Sequence, residues 1–457
     1  MTRHGRCCSA CSGASLCLER FVQAHSLLSP ASGGNSFDKA VTCTYLSMTL
    51  QAMVRWECYL KLDGEPNKNA ILTGVIMATV TAMMSTHLYS PSMPHLTDYF
   101  HTTPAVVKLS LSLNALAFGL MQLIYGPASD RFGRRPVMLV GMVGFTVVSL
   151  ACAAAQSISQ LIAIRILQGI FSAAEAVLVY AIIHDLFKGT NRIRALAIYG
   201  MAIALAPATA PIIGGYIHVL LGWRANFLLI ALFGLITSLI IWRVLPETAT
   251  PDPSGIRPRQ IIKDYGKLLG NRPFMNYAIM TGAGSGTIMS MVTASPFILI
   301  SYLAVPTQYY GLFMTAPVLS YMLSNIITRK ITGRLDVDVI LRIGLIISAV
   351  GALGLAGTVF SGHLSLLGLT LTFAITTFGM GPVFAIAPMK AIDTTDRPTG
   401  VASAMVNTIP MVMGGLAAVC LSVFHDGTAR PLASTILGLL LIAAGSYAIS
   451  ARRKCRQ

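Results

Sequence analysis

Twelve stretches of about twenty apolar residues recur along this chain, and no other feature limits its fold so tightly. A hydrocarbon layer roughly 30 Å thick needs about that many residues of α-helix at 1.5 Å each. The stretches lie at about 71–92, 105–126, 136–156, 159–183, 195–220, 224–245, 274–303, 308–328, 338–360, 364–389, 399–424 and 431–451. An open sheet would leave backbone groups bare in lipid, and the stretches lack the alternation of a barrel strand. The expected fold is therefore an all-α membrane protein of twelve transmembrane helices. With 54% of its residues hydrophobic and only 11% charged, the chain is too poor in charge for an ordinary globular surface.

The basic residues orient the spans. Taking every second loop from the N-terminal flank, one side holds 25 Lys and Arg and the other holds three, Lys108, Arg224 and Arg430. Positive loops stay in the cytoplasm, so both termini are expected there. The net charge of +16 is mostly this topology signal. Its scatter over seven loops excludes a nucleic-acid face, which needs the charge gathered on one surface.

Short loops on the other side, such as "QSISQ" and "AVPTQ", join neighbouring helices as antiparallel hairpins. The longest internal break, Pro246 to Pro273, is rich in Pro and charge and divides the spans six and six. The expected organisation is an N-terminal extension over 1–69, disordered by its composition, six-helix halves over 70–247 and 274–451, a cytoplasmic central loop over 248–273, and a basic tail over 452–457. Parallel six-span repeats around a central site are a known secondary-transporter plan.

Between the second and third spans stands "YGPASDRFGRRP", Tyr125 to Pro136. Its Gly126, Ser129, Asp130, Arg131, Gly133, Arg134 and Arg135 follow the order G-x-x-[AS]-D-R-x-G-R-[RK], with Ala128 where Leu is common. This resembles the loop signature of the major facilitator superfamily. "RILQG", Arg165 to Gly169, resembles the family's R-x-x-Q-G in the fourth span. "APATAPIIGG" in the fifth, with Ala206, Pro207, Ala210, Pro211, Gly214 and Gly215, is similar to the antiporter motif of the drug:proton antiporter branch, Ala210 replacing a usual Gly. With "LYSPSMP", "GWR", "LPET" and "SPF", the chain over about 70–450 looks most like the bicyclomycin/chloramphenicol resistance transporters.

The resemblance implies a major facilitator fold of two pseudo-symmetric halves. It also implies efflux of drugs or other small molecules across a bacterial inner membrane by alternating access, in exchange for protons. The proton motive force would replace any cofactor, and the transporter would work as a monomer in the bilayer. A narrow metabolite or nutrient permease of the same superfamily is the rival reading. A charged substrate should demand more intramembrane charge than Arg165, Glu175 and His87, which favours an apolar or amphipathic compound.

Within the loop, Arg134 and Arg135 precede a helix N-terminus, where the dipole disfavours cations, so they anchor topology rather than the helix. Gly133 permits the reversal and Pro136 suits a first helical turn. The resemblance assigns Asp130, Arg131 and Arg134 to a cytoplasmic latch between the halves. The plain alternative is a topogenic charge cluster.

Arg165 is the costliest residue, since a guanidinium inside a span costs roughly 2.5–3.5 kcal/mol unless it faces a cavity or partner. Helical spacing puts Gln168, Gly169 and Ser172 on its face, and Glu175 returns to nearly the same direction. Snorkelling to the interface is the other outlet for Arg165. A desolvated Glu175 is a candidate proton carrier; alternatively it pairs with Lys188 or Arg192. The relatives' acid before "Y-x-P-x-x-P" is here His87, followed by Tyr89, Pro91 and Pro94, so His87 either titrates in its place or is an interfacial residue.

Ala202, Ala206, Ala210 and Gly214 recur every four residues, which lets helices approach closely, while Pro207 and Pro211 bend the fifth span. The seventh span's Gly282, Gly284, Gly286 and Pro296 suggest a flexing, pathway-lining helix. At the N-terminus Cys7, Cys8, Cys11 and Cys17 supply only half of a paired metal spacing, so no metal site is expected, and Met48 or Met53 are candidate starts. No G-x-x-x-x-G-K-[ST] phosphate loop marks an ATP-driven pump and no H-E-x-x-H a metallohydrolase, so no enzyme activity is expected.

Overall fold

The computed structural model describes residues 68–249, 258–395, 400–424 and 426–454. The N-terminal extension, its cysteines and the candidate starts lie outside these residues. The chain divides into two compact units, Met1–Thr73 and Gly74–Gln457. Of the first unit only the opening turns of one helix are described, and the second holds the rest of the helices.

The helices are α1 (Lys68–His87), α2 (Met93–Tyr99), α3 (Pro104–Phe132), α4 (Arg134–Ala153), α5 (Ile158–Leu186), α6 (Gly189–Leu221), α7 (Trp223–Val244), α8 (Pro258–Gly270), α9 (Arg272–Pro296), α10 (Tyr310–Ile331), α11 (Val337–Phe360), α12 (Leu366–Asp393), α13 (Gly400–Val423) and α14 (Arg430–Lys454). Twelve segments are long and apolar enough to cross a membrane, and no strand occurs among the described residues. The face that carries the α3–α4 turn is the basic side.

Local chemistry sets the helix ends. Ser157, Asn271, Asp336 and Ser365 cap α5, α9, α11 and α12 by accepting from backbone N–H groups two or three residues on. Pro104 opens α3, where its missing donor costs nothing. Gly133 (φ +95°) ends α3 in a conformation that a side chain would strain.

Three expected segments differ in detail. The first span ends as a helix at His87, and a 3-10 turn at Ser90–Ser92 and α2 carry the chain on, because Pro91 and Pro94 interrupt the backbone ladder. The seventh span changes after Pro296 into a π-helical turn, Phe297–Tyr302, where the ring removes a donor. Part of the central break forms α8, with Asp264 and Lys267 ion-paired at 3.5 Å.

Among residues 74–247, α3 and α4 both pack on α5, and α4 packs on α7. In the C-terminal half α9 sits centrally against α12, α13 and α14, and α11 pairs with α12. The halves meet mainly through α3 on α13 and α6 on α10. Backbones nearly touch there: a Cβ at Gly119 would meet Met411 and Val412, and one at Gly415 would meet Leu116. The glycines of α9 are packing sites, Gly282 against Met413, Gly284 against Met380 and Phe384, and Gly286 against Leu439 and Ala417. The interruption of regular α-helix in this span therefore lies at Pro296 and the π turn.

Candidate functional site

Arg165 is fully buried on α5, so it does not snorkel. Its Nη1 donates to the carbonyl of Ser85 at 3.3 Å and to Oε1 of Gln168. Gln168 Nε2 in turn donates to Ser149 Oγ at 2.7 Å, and Ser149 donates to the Phe145 carbonyl at 2.6 Å. The guanidinium stands 5.1 Å from the Tyr89 ring and 5.9 Å from Phe227, whose faces attract a cation. Nε and Nη2 find no partner among the described residues, and no carboxylate pairs with the group there.

Two further contacts fix this cluster. Asn114 Nδ2 donates to the Arg165 carbonyl at 2.7 Å, while a Cβ at Gly169 would strike the Asn114 carbonyl, so α3 and α5 can close only over a glycine. Tyr89, also fully buried, shares a 2.8 Å hydrogen bond with Ser110. The predicted stripe of Arg165, Gln168, Gly169 and Ser172 is thus one buried face. His87 is half-buried at the end of α1, two residues from Ser85, and makes no hydrogen bond or ion pair among the described residues.

Glu175 lies ten residues further along α5, about 15 Å from Arg165 at 1.5 Å per residue, too far for an ion pair. It is 1% exposed, and neither carboxyl oxygen has a hydrogen-bond partner among the described residues. Tyr125 of α3 and Tyr199 of α6 lie within its electrostatic reach. The alternative pairing with Arg192 is not made: that guanidinium donates to the carbonyls of Phe187 and His184.

At the basic side, Arg134 Nη1 pairs with Asp130 at 2.8 Å, and Arg134 Nε reaches Asp185 at 3.5 Å. Arg134 also donates to Ser129 Oγ. Glu247 from the "LPET" segment accepts from the backbone of Arg134 at 2.8 Å and of Arg135 at 3.3 Å. It also accepts from the N–H groups of Thr248 and Ala249. Glu247, rather than Asp130, therefore holds the free donors of the α4 N-terminus, where the dipole favours an anion. Arg135 donates to the Trp242 carbonyl at 2.8 Å, and exposed Arg131 lies 5.3 Å from the Phe132 ring. A Cβ at Gly126 would meet only Val177 at an ordinary distance, and its carbonyl accepts from Ser129 Oγ at 2.8 Å. In this conformation these partners of Asp130 and Arg134 all belong to the N-terminal half.

The antiporter-like stretch faces the other half. Ala206, Ala210, Pro211, Gly214 and Gly215 are buried on α6, and Pro207 sits within the helix. A Cβ at Gly214 would meet the Leu88 carbonyl, one at Gly215 the Thr307 carbonyl, and one at Gly311 of α10 the backbone of Pro211 and Ile212. Thr315 Oγ1 donates to the Ala208 carbonyl at 3.3 Å. Beside these contacts Tyr310 hydrogen-bonds Ser90 and Ser295, and Ser112 meets Ser422 at 3.3 Å. The halves are thus closed on each other at the side opposite the basic loops.

Sequence reading did not single out Asp185, Asn114, Ser149, Tyr125, Tyr199 or Tyr310. Asp185, an acid beside a basic loop, carries a faint signal of the same kind as Asp130. Each of the others acts through at least one partner 19 or more residues away, for which a single sequence holds no mark.

Residues 75–418 match the sequence model of the Major Facilitator Superfamily. The multidrug transporter MdfA of Yersinia pestis bv. Antiqua (strain Angola) is 28% identical over 340 residues, covering 74% of this chain and 83% of that protein. The chloramphenicol resistance protein of Pseudomonas aeruginosa is 26% identical over 371 residues, covering 81% and 88%. A bacterial homolog to the human lysosomal transporter Spinster, solved in an inward-facing and unoccupied conformation, resembles the fold with a TM-score of 0.68 at 14% identity, covering 85% of this chain and 98% of that one.

Proposed function

The chain belongs to the Major Facilitator Superfamily, and on that premise we propose that it exports small apolar or amphipathic compounds in exchange for protons by alternating access. The observation that carries this reading is Glu175, a carboxyl sealed in the N-terminal half with both oxygens unpartnered among the described residues. Moving such a group between charged and neutral forms changes the energy of its surroundings by several kcal/mol, enough to bias one conformation over another.

The substrate occupies a midplane space between the halves, entered from the basic, cytoplasmic side while α6 and α10 are closed opposite it. Arg165 and Gln168 keep the polar core of the N-terminal half in register with α1, and Tyr89 places an aromatic face on it. Half-buried His87 borders the same region and is a secondary proton group. The Asp130, Arg131, Arg134 loop forms the latch of the opposite state, when the basic-side ends come together. Gly214 and Gly215, with Pro207 and Pro211, let α6 close tightly enough to limit proton leak. The transporter works as a monomer in a bacterial inner membrane with both termini in the cytoplasm. Multidrug transport and chloramphenicol resistance name the relatives, which supports the export direction.

The test is efflux of ethidium and chloramphenicol from energised cells, with and without a proton uncoupler, in wild type, Glu175→Gln and His87→Asn. Transport that collapses with the uncoupler and in Glu175→Gln, but survives in His87→Asn, supports the reading. If neither compound moves in the wild type, a narrow metabolite permease becomes the better account.

A further inference from the structure

Glu175 has no route to water along its own helix. The solvent-facing end of α5 at Asp185 lies ten residues on, about 15 Å away, and Tyr180, five residues on, points roughly 140° around the helix from Glu175. The neighbouring helix α6 spans that gap with Tyr199, only 3% exposed. Thr79 of α1 and Tyr180 of α5 are the polar neighbours of its hydroxyl. The two tyrosine rings meet edge-on with centroids 5.1 Å apart. Tyr180 is 49% exposed and lies within electrostatic reach of Tyr321 on α10, so it faces the space between the halves. The titratable groups around the carboxyl are therefore Tyr125 from α3 and Tyr199 from α6, with Tyr180 behind Tyr199 and Tyr321 across from it.

We propose that Tyr199 and Tyr180 form the proton conduit between Glu175 and the basic-side space between the halves, with one water joining the carboxyl to the Tyr199 hydroxyl. A buried carboxyl without a donor is the kind of site that retains a water, and the polar neighbours it needs are present. In release, the Glu175 O–H bond breaks as its proton passes to the water. The water protonates Tyr199 while Tyr199 passes its own hydroxyl proton to Tyr180, and Tyr180 gives its proton to bulk solvent. Each hydroxyl ends with one proton, the carboxyl becomes carboxylate, and nothing is oxidised. Tyr125 sits beside the carboxyl but outside this hydroxyl chain. The inference rests on Glu175 being the proton carrier.

A substrate-independent measurement separates the two ideas. In reconstituted full-length protein, the Glu175 carboxylic C=O stretch is identified by infrared difference spectroscopy as the band lost in Glu175→Gln, and its response to a pH jump is timed. Tyr199→Phe and Tyr180→Phe are expected to slow that response at least about a hundredfold, the low end of what a positioned proton donor contributes, with Tyr125→Phe within about twofold of wild type. An unchanged rate in both Tyr199→Phe and Tyr180→Phe overturns the conduit while leaving Glu175 as carrier. If no pH-dependent band is lost in Glu175→Gln, the carboxyl does not titrate, and the carrier reading and the conduit fall together.

Discussion

The hydroxyl of Tyr310 lies 3.0 Å from Ser90 Oγ, joining the two halves of the molecule at the side opposite the basic loops. The same hydroxyl meets Ser295 of α9 at 2.9 Å, and the tyrosine is 1% exposed. Under the proposed alternating-access cycle this interface opens, which would make the dry, doubly bonded hydroxyl a gate contact rather than a core one.

Tyr310→Phe removes that link and keeps the ring. A net hydrogen bond is worth about 0.5–1.5 kcal/mol, so the closed-to-open ratio should fall by a factor of roughly two to ten. Labelling of Ser112→Cys by a membrane-impermeant thiol reagent added from outside should rise accordingly in the Tyr310→Phe background. Unchanged labelling would show that packing alone holds this side shut.

Gly311→Ala should prop the same side open, because its Cβ would meet the backbone of Pro211 and Ile212, which cannot swing away as a side chain can. Overpacking of this kind costs about 1–3 kcal/mol. Spin labels at Leu221 and Ser361, on the ends of the two halves, should show a longer mean distance than in wild type, with membrane expression retained.

Gln168→Glu should raise thermal stability. Arg165 carries a buried charge with two nitrogens unpartnered among the described residues, and an acid of nearly the same shape would supply the missing anion beside it. Gln168→Leu should lower stability by about 1–3 kcal/mol, since it removes one partner from both the buried guanidinium and Ser149. Detergent-solubilised melting temperatures in the order Glu, Gln, Leu would bear this out; a lower value for Glu would contradict it.

Glu247→Ala should destabilise the basic-side end of the N-terminal half by about 0.5–2 kcal/mol, the usual worth of a helix N-cap. The carboxylate accepts from four backbone N–H groups, and Glu247→Gln should retain part of the effect through its carbonyl oxygen. Hydrogen exchange at Arg134 and Arg135 is the local readout, faster in Glu247→Ala than in Glu247→Gln.

The twelve spans were legible along the chain, because the length and apolarity that lipid demands are written in contiguous residues. So was the family, because the Asp130 loop, the Arg165 stripe and the Ala206 to Gly215 stretch are each local patterns. Spacing alone placed Arg165, Gln168 and Gly169 on one face, as the structure has them. The rest depends on which helices become neighbours. Glu247 is 113 residues from the Arg134 amide it caps, and Tyr310 is 220 residues from Ser90. Neither distance leaves a period in the chain. Whether Glu175 met Arg192 or came to lie near Tyr125 and Tyr199 was likewise a matter of packing, since burial removes a carboxyl from water whatever partner stands nearest in sequence.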